Sequence, residues 1–274
     1  MTHREKILKL ARTFKAICRH PVTFAEFAVQ FGDSSMSAYV DRKYGLAGGL
    51  PTIDLLDLLP AINETVSPYA FLEGGSTPID LALLRGLARR YDRCRYFEIG
   101  SWRGESVANV AAIAAECVSL SLSDEEIRRA GWNERYVAIS KVFSRDLTNV
   151  VHIGHDSKTF DYTPYLGQCD LVFIDGDHSY DGVRADTEHA FRLLRDDRSV
   201  IVWHDYTRAS DLDVMWGVVA GMLDGAPRAA TRELYHVSNT LCAIHIKGQF
   251  RTAPAVVPAM PNKVFDVAIT ARKC

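Results

Sequence analysis

The chain has 274 residues, of which 47% are hydrophobic and 24% charged, and its formal net charge is −2. Such a composition fits a soluble α/β protein with one large domain and an appendage, and it excludes a general electrostatic attraction to nucleic acid or to a membrane surface. No stretch reaches the ~18 apolar residues of a membrane span, and Met1 to Lys6 lead into no long apolar run, so neither a span nor a secretory signal is expected.

Residues 4 to 19 carry six Lys or Arg against one acid, Glu5, and Ile7, Leu10, Ala11, Phe14, Ile17 and Cys18 recur at helical spacing. This predicts an amphipathic basic helix. It would pack on the main domain or on a second copy in a homodimer, with a membrane-surface or acidic-partner role as the alternative. Pro21 and Gly32 to Ser35 are expected to break the helical pattern. Gly45 to Pro51 reads as a loop, and Thr52 as the start of a short apolar helix ending at Pro60. Further on, Thr77 is the N-cap, Pro78 the first residue and Asp80 a dipole-favouring acid of a helix that runs to Tyr91.

Tyr96 to Ile99 then reads as a short buried strand, Gly100 to Gly104 as a turn, and Glu105 to Glu116 as a helix. The free N–H groups of a helix start, with glycines that let a ligand approach the backbone, suit a nucleotide-like ligand. Gly100, Ser101, Arg103 and Gly104 are the candidates in the turn. Glu98, which closes the strand, could accept hydrogen bonds from ligand hydroxyls or an ammonium group. The spacing Glu-x-Gly-x-x-x-Gly fits the dinucleotide fingerprint poorly. The plain alternative is a buried strand–turn–helix unit without a ligand.

Val118 to Leu122 is the next predicted strand, followed by a capping box from Ser123 to Glu126 and a helix that stops at Gly131. Asn149 to Ser157 reads as a strand and its loop, where Asp156 would otherwise only cap backbone amides. The apolar run Leu171 to Ile174 has the character of a central parallel strand and ends in Asp175, Asp177 and His178. A helix from Asp181 to Arg195 and a strand from Ser199 follow, the latter ending in His204, Asp205 and Tyr206. Open α/β sheets bind ligands at such strand ends, and unpaired carboxylates are costly to bury. Asp175, His204 and Asp205 are therefore candidate metal ligands around one cleft. Carboxylate oxygens suit Mg²⁺, and a histidine tilts the choice toward Mn²⁺, Fe²⁺ or Zn²⁺. Ser210 should cap a helix through Leu223, and Leu234 to Val237 and Leu241 to Ile246 should form a hairpin. Residues 249 to 274, with Pro254, Pro258 and Pro261, read as an extended arm or a disordered end. His152, His155, His236 and His245 read as structural. The six cysteines form no Cys-x-x-Cys pair, and most are expected as buried free thiols of a reducing compartment, the cytoplasm.

The strings Phe97-Glu-Ile-Gly-Ser-Trp-Arg-Gly-Glu-Ser106, Phe173-Ile-Asp-Gly-Asp-His-Ser-Tyr180 and Val202-Trp-His-Asp-Tyr206 resemble a bacterial family of class I S-adenosylmethionine-dependent methyltransferases. Its relatives include the sugar O-methyltransferases that act on macrocin and mycinamicin. The resemblance implies a doubly wound, mostly parallel, seven-stranded Rossmann-like sheet over residues 77–248; residues 1–76, expected as a helical N-terminal extension, and 249–274, expected as an extended tail, lie outside its motifs. It implies S-adenosylmethionine at the turn, with Glu73 and Ser76 near its mouth and Asp156 and Ser157 facing the adenine. Ser121 stands where the family carries a ribose-binding acid; Asp124 or the Ser121 hydroxyl would have to serve instead. Asp175 falls on a metal-ligand position and His178 on that of the general base, with capping or substrate positioning as the alternative for His178. In the family the end of the strand that here closes in His204-Asp205 offers two acids, of which His204 replaces one. The implied reaction is methyl transfer to a hydroxyl of a small molecule, a sugar or glycan among them, with Mg²⁺ or another divalent ion assisting. Two other readings stay open, a ligand-binding protein of this fold that transfers no methyl group and a metal-dependent hydrolase using Asp175, Asp177 and His178.

Overall fold

In the computed structural model, residues 21–208, 213–254, 256 and 260–273 are described. The predicted basic helix and the Ser210 cap lie outside them. The most apolar runs of the sequence form the middle of one sheet. Strands β2 (Arg95–Ile99), β5 (Leu171–Ile174) and β6 (Val200–Trp203) are buried at every position but Arg95, as strands covered on both faces must be. Flanking them are β3 (Glu116–Ser121) and β4 (Val150–Gly154) on one side, and the hairpin β7 (Leu234–Val237) and β8 (Ala243–His245) on the other.

Among the described residues the sheet has nine strands rather than seven, in the order β4-β3-β2-β5-β6-β8-β7-β1-β9. The additional pair is β1 (Thr52–Ile53), parallel to β7, and β9 (Thr252–Ala253), antiparallel to β1. Two residues carry no periodicity, so neither strand announces itself in the sequence. From β4 to β6 the ladder is parallel, and β8 runs antiparallel between β6 and β7.

Helices cover both faces, and the period of two along each strand divides the core between them. Phe97, Ile99, Val172, Ile174, Ile201 and Trp203 face one cluster. It includes Val183, Ala190 and Leu193 of α7 (Tyr180–Leu193) and Val218, Val219 and Met222 of α8 (Trp216–Gly225). Tyr96, Leu171, Phe173, Val200 and Val202 face the other, with Leu81, Leu84 and Leu87 of α3 (Pro78–Ala88) and Val107 and Val110 of α4 (Glu105–Ala111). Each such side chain taken fully out of water contributes about 1.5–3 kcal/mol.

Several boundaries differ from the sequence reading. Helix α1 (Pro21–Tyr44) continues through Gly32 to Ser35, because one helical glycine costs only about 1 kcal/mol against alanine. Thr52 to Pro60 is not one helix. Thr52 and Ile53 pair in the sheet, and Asp54 then caps α2 (Leu55–Leu58) by accepting the Leu56 N–H at 2.9 Å. Helix α4 ends at Ala111, short of Glu116, because the Ala115 N–H already bonds the Cys94 carbonyl and steers the chain into β3. Between β3 and β4 stand two short helices, α5 (Asp124–Arg129) and α6 (Glu134–Ile139). Helix α8 begins at Trp216.

Helix α1 is tied to the body by the Asp33–Arg208 ion pair, at 2.5 Å, and around a second carboxylate. Asp224 accepts from the hydroxyls of Tyr39, Tyr44 and Tyr180 and from Lys43 Nζ at 2.8 Å. The C-terminal segment is held by Lys263, whose buried Nζ lies 2.6 Å from Asp54 Oδ2. Cys94, Cys117, Cys169 and Cys242 are buried free thiols. Among the described residues no helix is long and apolar enough to cross a membrane.

Candidate active site

All five parallel strands point their C-terminal ends at one edge of the sheet, and a cavity of about 480 Å³ opens there. Gly100, Ser101, Trp102, Ser121, Asp156 and Ser157 are in its wall, as are Asp175 and Asp177. Five of the residues singled out in the sequence, Gly100, Ser101, Ser121, Asp156 and Ser157, are in this wall. The Ser121 Oγ is buried without a hydrogen-bond partner. Asp156 also makes the expected turn, its Oδ1 accepting the Lys158 N–H at 3.0 Å.

Three candidates serve the turn instead of lining the cavity. Glu98 is fully buried beneath it, accepting from the Tyr96 hydroxyl at 2.6 Å and the Ser106 hydroxyl at 2.8 Å. Burial pushes its carboxyl up to about 7 against the pull of those hydroxyls. Arg103 is buried too. It pairs with Glu105 at 2.8 Å and donates to the carbonyls of Glu73 and Leu72, which pins the 72–75 loop onto the turn. Gly104, at φ +83°, packs against Ser144, where a β-carbon would meet Oγ at 2.3 Å. Gly100, at φ +88°, is needed for the same kind of reason, since a β-carbon there would strike the backbone of Asp175 and Gly176. Ser76 is buried and the Glu73 side chain exposed, and neither is in the cavity wall.

The wall also holds an aromatic stack that the sequence reading passed over. Trp102 lies parallel to Tyr136 with centroids 5.4 Å apart, and Tyr136 stacks on Trp132 at 4.4 Å. The i, i+4 spacing of Trp132 and Tyr136 across the start of α6 was the available signal.

At the rim, the ends of β5 and β6 bring together Asp175, His204 and Asp205 as expected from their neighbouring strands. His204 Nδ1 stands 3.2 Å from Asp175 Oδ1 and 3.2 Å from Asp205 Oδ1. His204 is nearly buried, yet neither ring nitrogen has an aligned hydrogen-bond partner. Donor atoms around a six-coordinate ion at about 2.1–2.2 Å sit about 3.0–3.2 Å apart, and around a four-coordinate one about 3.3 Å. The spacing and the unpaired imidazole therefore fit a divalent ion. Burial alone would lower the His204 pKa, but the surrounding carboxylates outweigh it and hold the imidazole well above its ordinary range. Asp205 carries a backbone φ of +54°, a left-handed conformation that strains a non-glycine residue.

His178 joins this group at its open side. Its Nε2 is 2.9 Å from Asp205 Oδ2 and 3.7 Å from Asp175 Oδ1, with the side chain half-exposed. Hydrogen bonding to Asp175 and Asp205 raises its pKa to about 10. Asp177 stays apart. It pairs with Lys158 Nζ at 2.8 Å and accepts the Ser179 N–H at 2.9 Å, so it is a turn and ion-pair residue. His236 and His245 are buried, as expected for structural residues, and His152 is partly so.

No curated protein is significantly similar to the chain. Among solved structures, it is similar to cofactor-bound Rv0187 from MTB, with 23% identity, 63% of this chain and 81% of that one covered, and a TM-score of 0.42. A Klebsiella pneumoniae protein provisionally described as an O-methyltransferase is similar at 17% identity, with coverage of 65% and 84% and a TM-score of 0.42. CalS10, an amino pentose methyltransferase from Micromonospora echinaspora solved with S-adenosylmethionine, is similar at 18% identity, with coverage of 46% and 48% and a TM-score of 0.32. The chain spans about half the length of others that it matches, at 49% and 50%. Residues 97–206 match the family model described as a methyltransferase domain. That segment runs from the glycine turn through the cavity wall to Asp205.

Proposed function

We propose that the chain transfers the methyl group of S-adenosylmethionine to a hydroxyl of a small molecule, a sugar or glycan hydroxyl first, with a divalent ion at Asp175, His204 and Asp205. One observation carries this reading: Asp175 is at once in the wall of the cavity and a corner of the rim cluster. A cofactor cavity and a metal-type cluster that share a side chain are built for one reaction. The resemblance of the three strand-end strings to the macrolide sugar O-methyltransferases supports the choice of acceptor.

In this reading the cavity wall holds the cofactor, whose sulfonium supplies the methyl group. Ser101 and Ser121 offer hydroxyls there, Asp156 and Ser157 polar groups, and Trp102 and Tyr136 a flat apolar face. Holding nucleophile and methyl in line supplies much of the acceleration in such transfers. A divalent ion on Asp175, His204 and Asp205 would lower the pKa of an acceptor hydroxyl brought against it. His178, half-exposed beside the cluster, then takes the hydroxyl proton. Its high pKa reflects the two carboxylates that grip its proton, and neutralising them returns the imidazole toward the range where it can act as a base. The 72–75 loop that Arg103 pins is read as one source of the acceptor pocket.

Calorimetric titration with S-adenosylhomocysteine, with and without Mg²⁺ or Mn²⁺, tests the first half, and a methyl-transfer screen on sugars and glycosylated small molecules the second. Absence of binding in every condition would overturn the reading. Ser121, which offers no carboxylate to ribose hydroxyls, favours a second reading, a protein that binds the nucleoside without transferring methyl. Micromolar binding with no turnover on any acceptor would select it.

A further inference from the structure

His204 has carboxylates close to both sides of its ring, though none is aligned as a hydrogen-bond acceptor. Nδ1 faces Asp175 and Asp205, and Nε2 faces a third carboxylate, Asp80 Oδ2, at 3.4 Å. The Phe173 and His204 rings are inclined to each other at 69°, with centroids 6.1 Å apart. Asp80 is fully buried on the first turn of α3, far along the chain from the cluster. The capping box of α3 explains only part of its placement. Oδ2 accepts from the Thr77 N–H at 2.7 Å and the Thr77 hydroxyl at 2.6 Å. Oδ1 accepts from the Leu241 N–H at 2.9 Å, with the Cys242 thiol at 3.6 Å. A capping acid has no need of burial at the foot of an imidazole, and an exposed first-turn acid would serve the helix as well. What these contacts achieve is a carboxylate with both oxygens clamped and one edge turned to Nε2.

A metal-binding histidine usually donates its second ring N–H to a carboxylate or carbonyl, which fixes the tautomer and aims the other nitrogen at the ion. We propose that Asp80 is a positioning residue that keeps the His204 proton on Nε2 and so presents the Nδ1 lone pair to the site shared with Asp175 and Asp205. This rests on the metal reading of the cluster given above. It also explains how an imidazole can stand at a strand end where a carboxylate would bind an ion with no such help. A carboxylate has lone pairs on both oxygens, whereas a neutral imidazole has one, and it must face the right way.

The test is Mn²⁺ binding to the full chain, read by calorimetry and by electron paramagnetic resonance. In Asp80→Asn the amide oxygen can take only one of the two carboxylate positions, and the charged acceptor that holds the Nε2 proton is lost. That variant is expected to bind Mn²⁺ at least tenfold more weakly and to lose the nitrogen coupling of a ligated imidazole. Asp224→Asn, a buried carboxylate change away from the site, controls for lost stability and should leave Mn²⁺ affinity unchanged. Affinity of Asp80→Asn within threefold of the parent would overturn the proposal while leaving the metal site standing. Failure of the parent chain to bind Mn²⁺ would remove the metal reading and this inference with it. Should Asp80→Asn not fold, long-range ¹H–¹⁵N correlation on the Zn²⁺-loaded parent decides. A His204 proton on Nε2 is expected, and a proton on Nδ1 overturns the proposal.

Discussion

A β-carbon on Gly100 would lie 2.3 Å from the carbonyl oxygen of Asp175. The turn beside the cavity and the strand end that begins the Asp175, His204 and Asp205 cluster are thus in backbone contact. Gly100→Ala adds this clash to an unfavourable φ of +88°. It should destabilise the fold by at least ~2 kcal/mol. It should also impair S-adenosylhomocysteine and Mn²⁺ binding together. Urea unfolding and two titrations check this, and a loss of nucleoside binding alone would contradict it.

Asp175→Asn removes the one carboxylate common to cavity and cluster. Methyl transfer should fall below detection and Mn²⁺ affinity should drop at least tenfold, with an unchanged far-ultraviolet circular dichroism spectrum. Full activity in this variant would refute the placement of the site.

Glu98 predicts a pH dependence of stability. Its folded pKa, about 7, lies above the ordinary value of 4.5. A raised carboxyl contributes its full stability below the unfolded value and loses it as pH rises through the folded one. Without ligands, wild-type stability should therefore lose on the order of 3 kcal/mol from this group between about pH 4.5 and 7. Glu98→Gln should lack that loss, so the variant gains on the parent as pH rises. Equilibrium urea unfolding of both proteins at pH 5 and 7.5 measures the difference.

Asp224 gathers Tyr39, Lys43, Tyr44 and Tyr180 and joins α1 to α7 and α8. Asp224→Ala leaves three hydroxyls and an ammonium without their acceptor. A cost of about 2–3 kcal/mol is expected. Amide hydrogen exchange should rise over residues 33–44 first, and uniform protection there would show that α1 is held by other contacts.

Much of this architecture was legible because it rests on local chemistry. The buried strands are short apolar runs, the turn is marked by glycines, and Thr77 and Ser123 cap helices through partners three residues away. Asp175, His204 and Asp205 could be grouped because neighbouring parallel strands end on one edge. Asp80 could not, since its cap explained it locally and its second partner, His204, comes from a different part of the chain. Arg103 misled for the opposite reason. A basic residue in a nucleotide-type turn looks like a ligand contact, and only the folded 72–75 loop reveals what occupies its guanidinium. Strands β1 and β9 were silent because each is two residues long and depends wholly on its neighbours.

The shared position of Asp175 has a consequence in thermodynamics. Two ligands that meet at one side chain alter each other's affinity, and the free-energy coupling between them is reciprocal. Under the proposed function, whatever factor a divalent ion contributes to nucleoside affinity, the nucleoside must return to the ion. Cellular swings in either one would then set the occupancy of both.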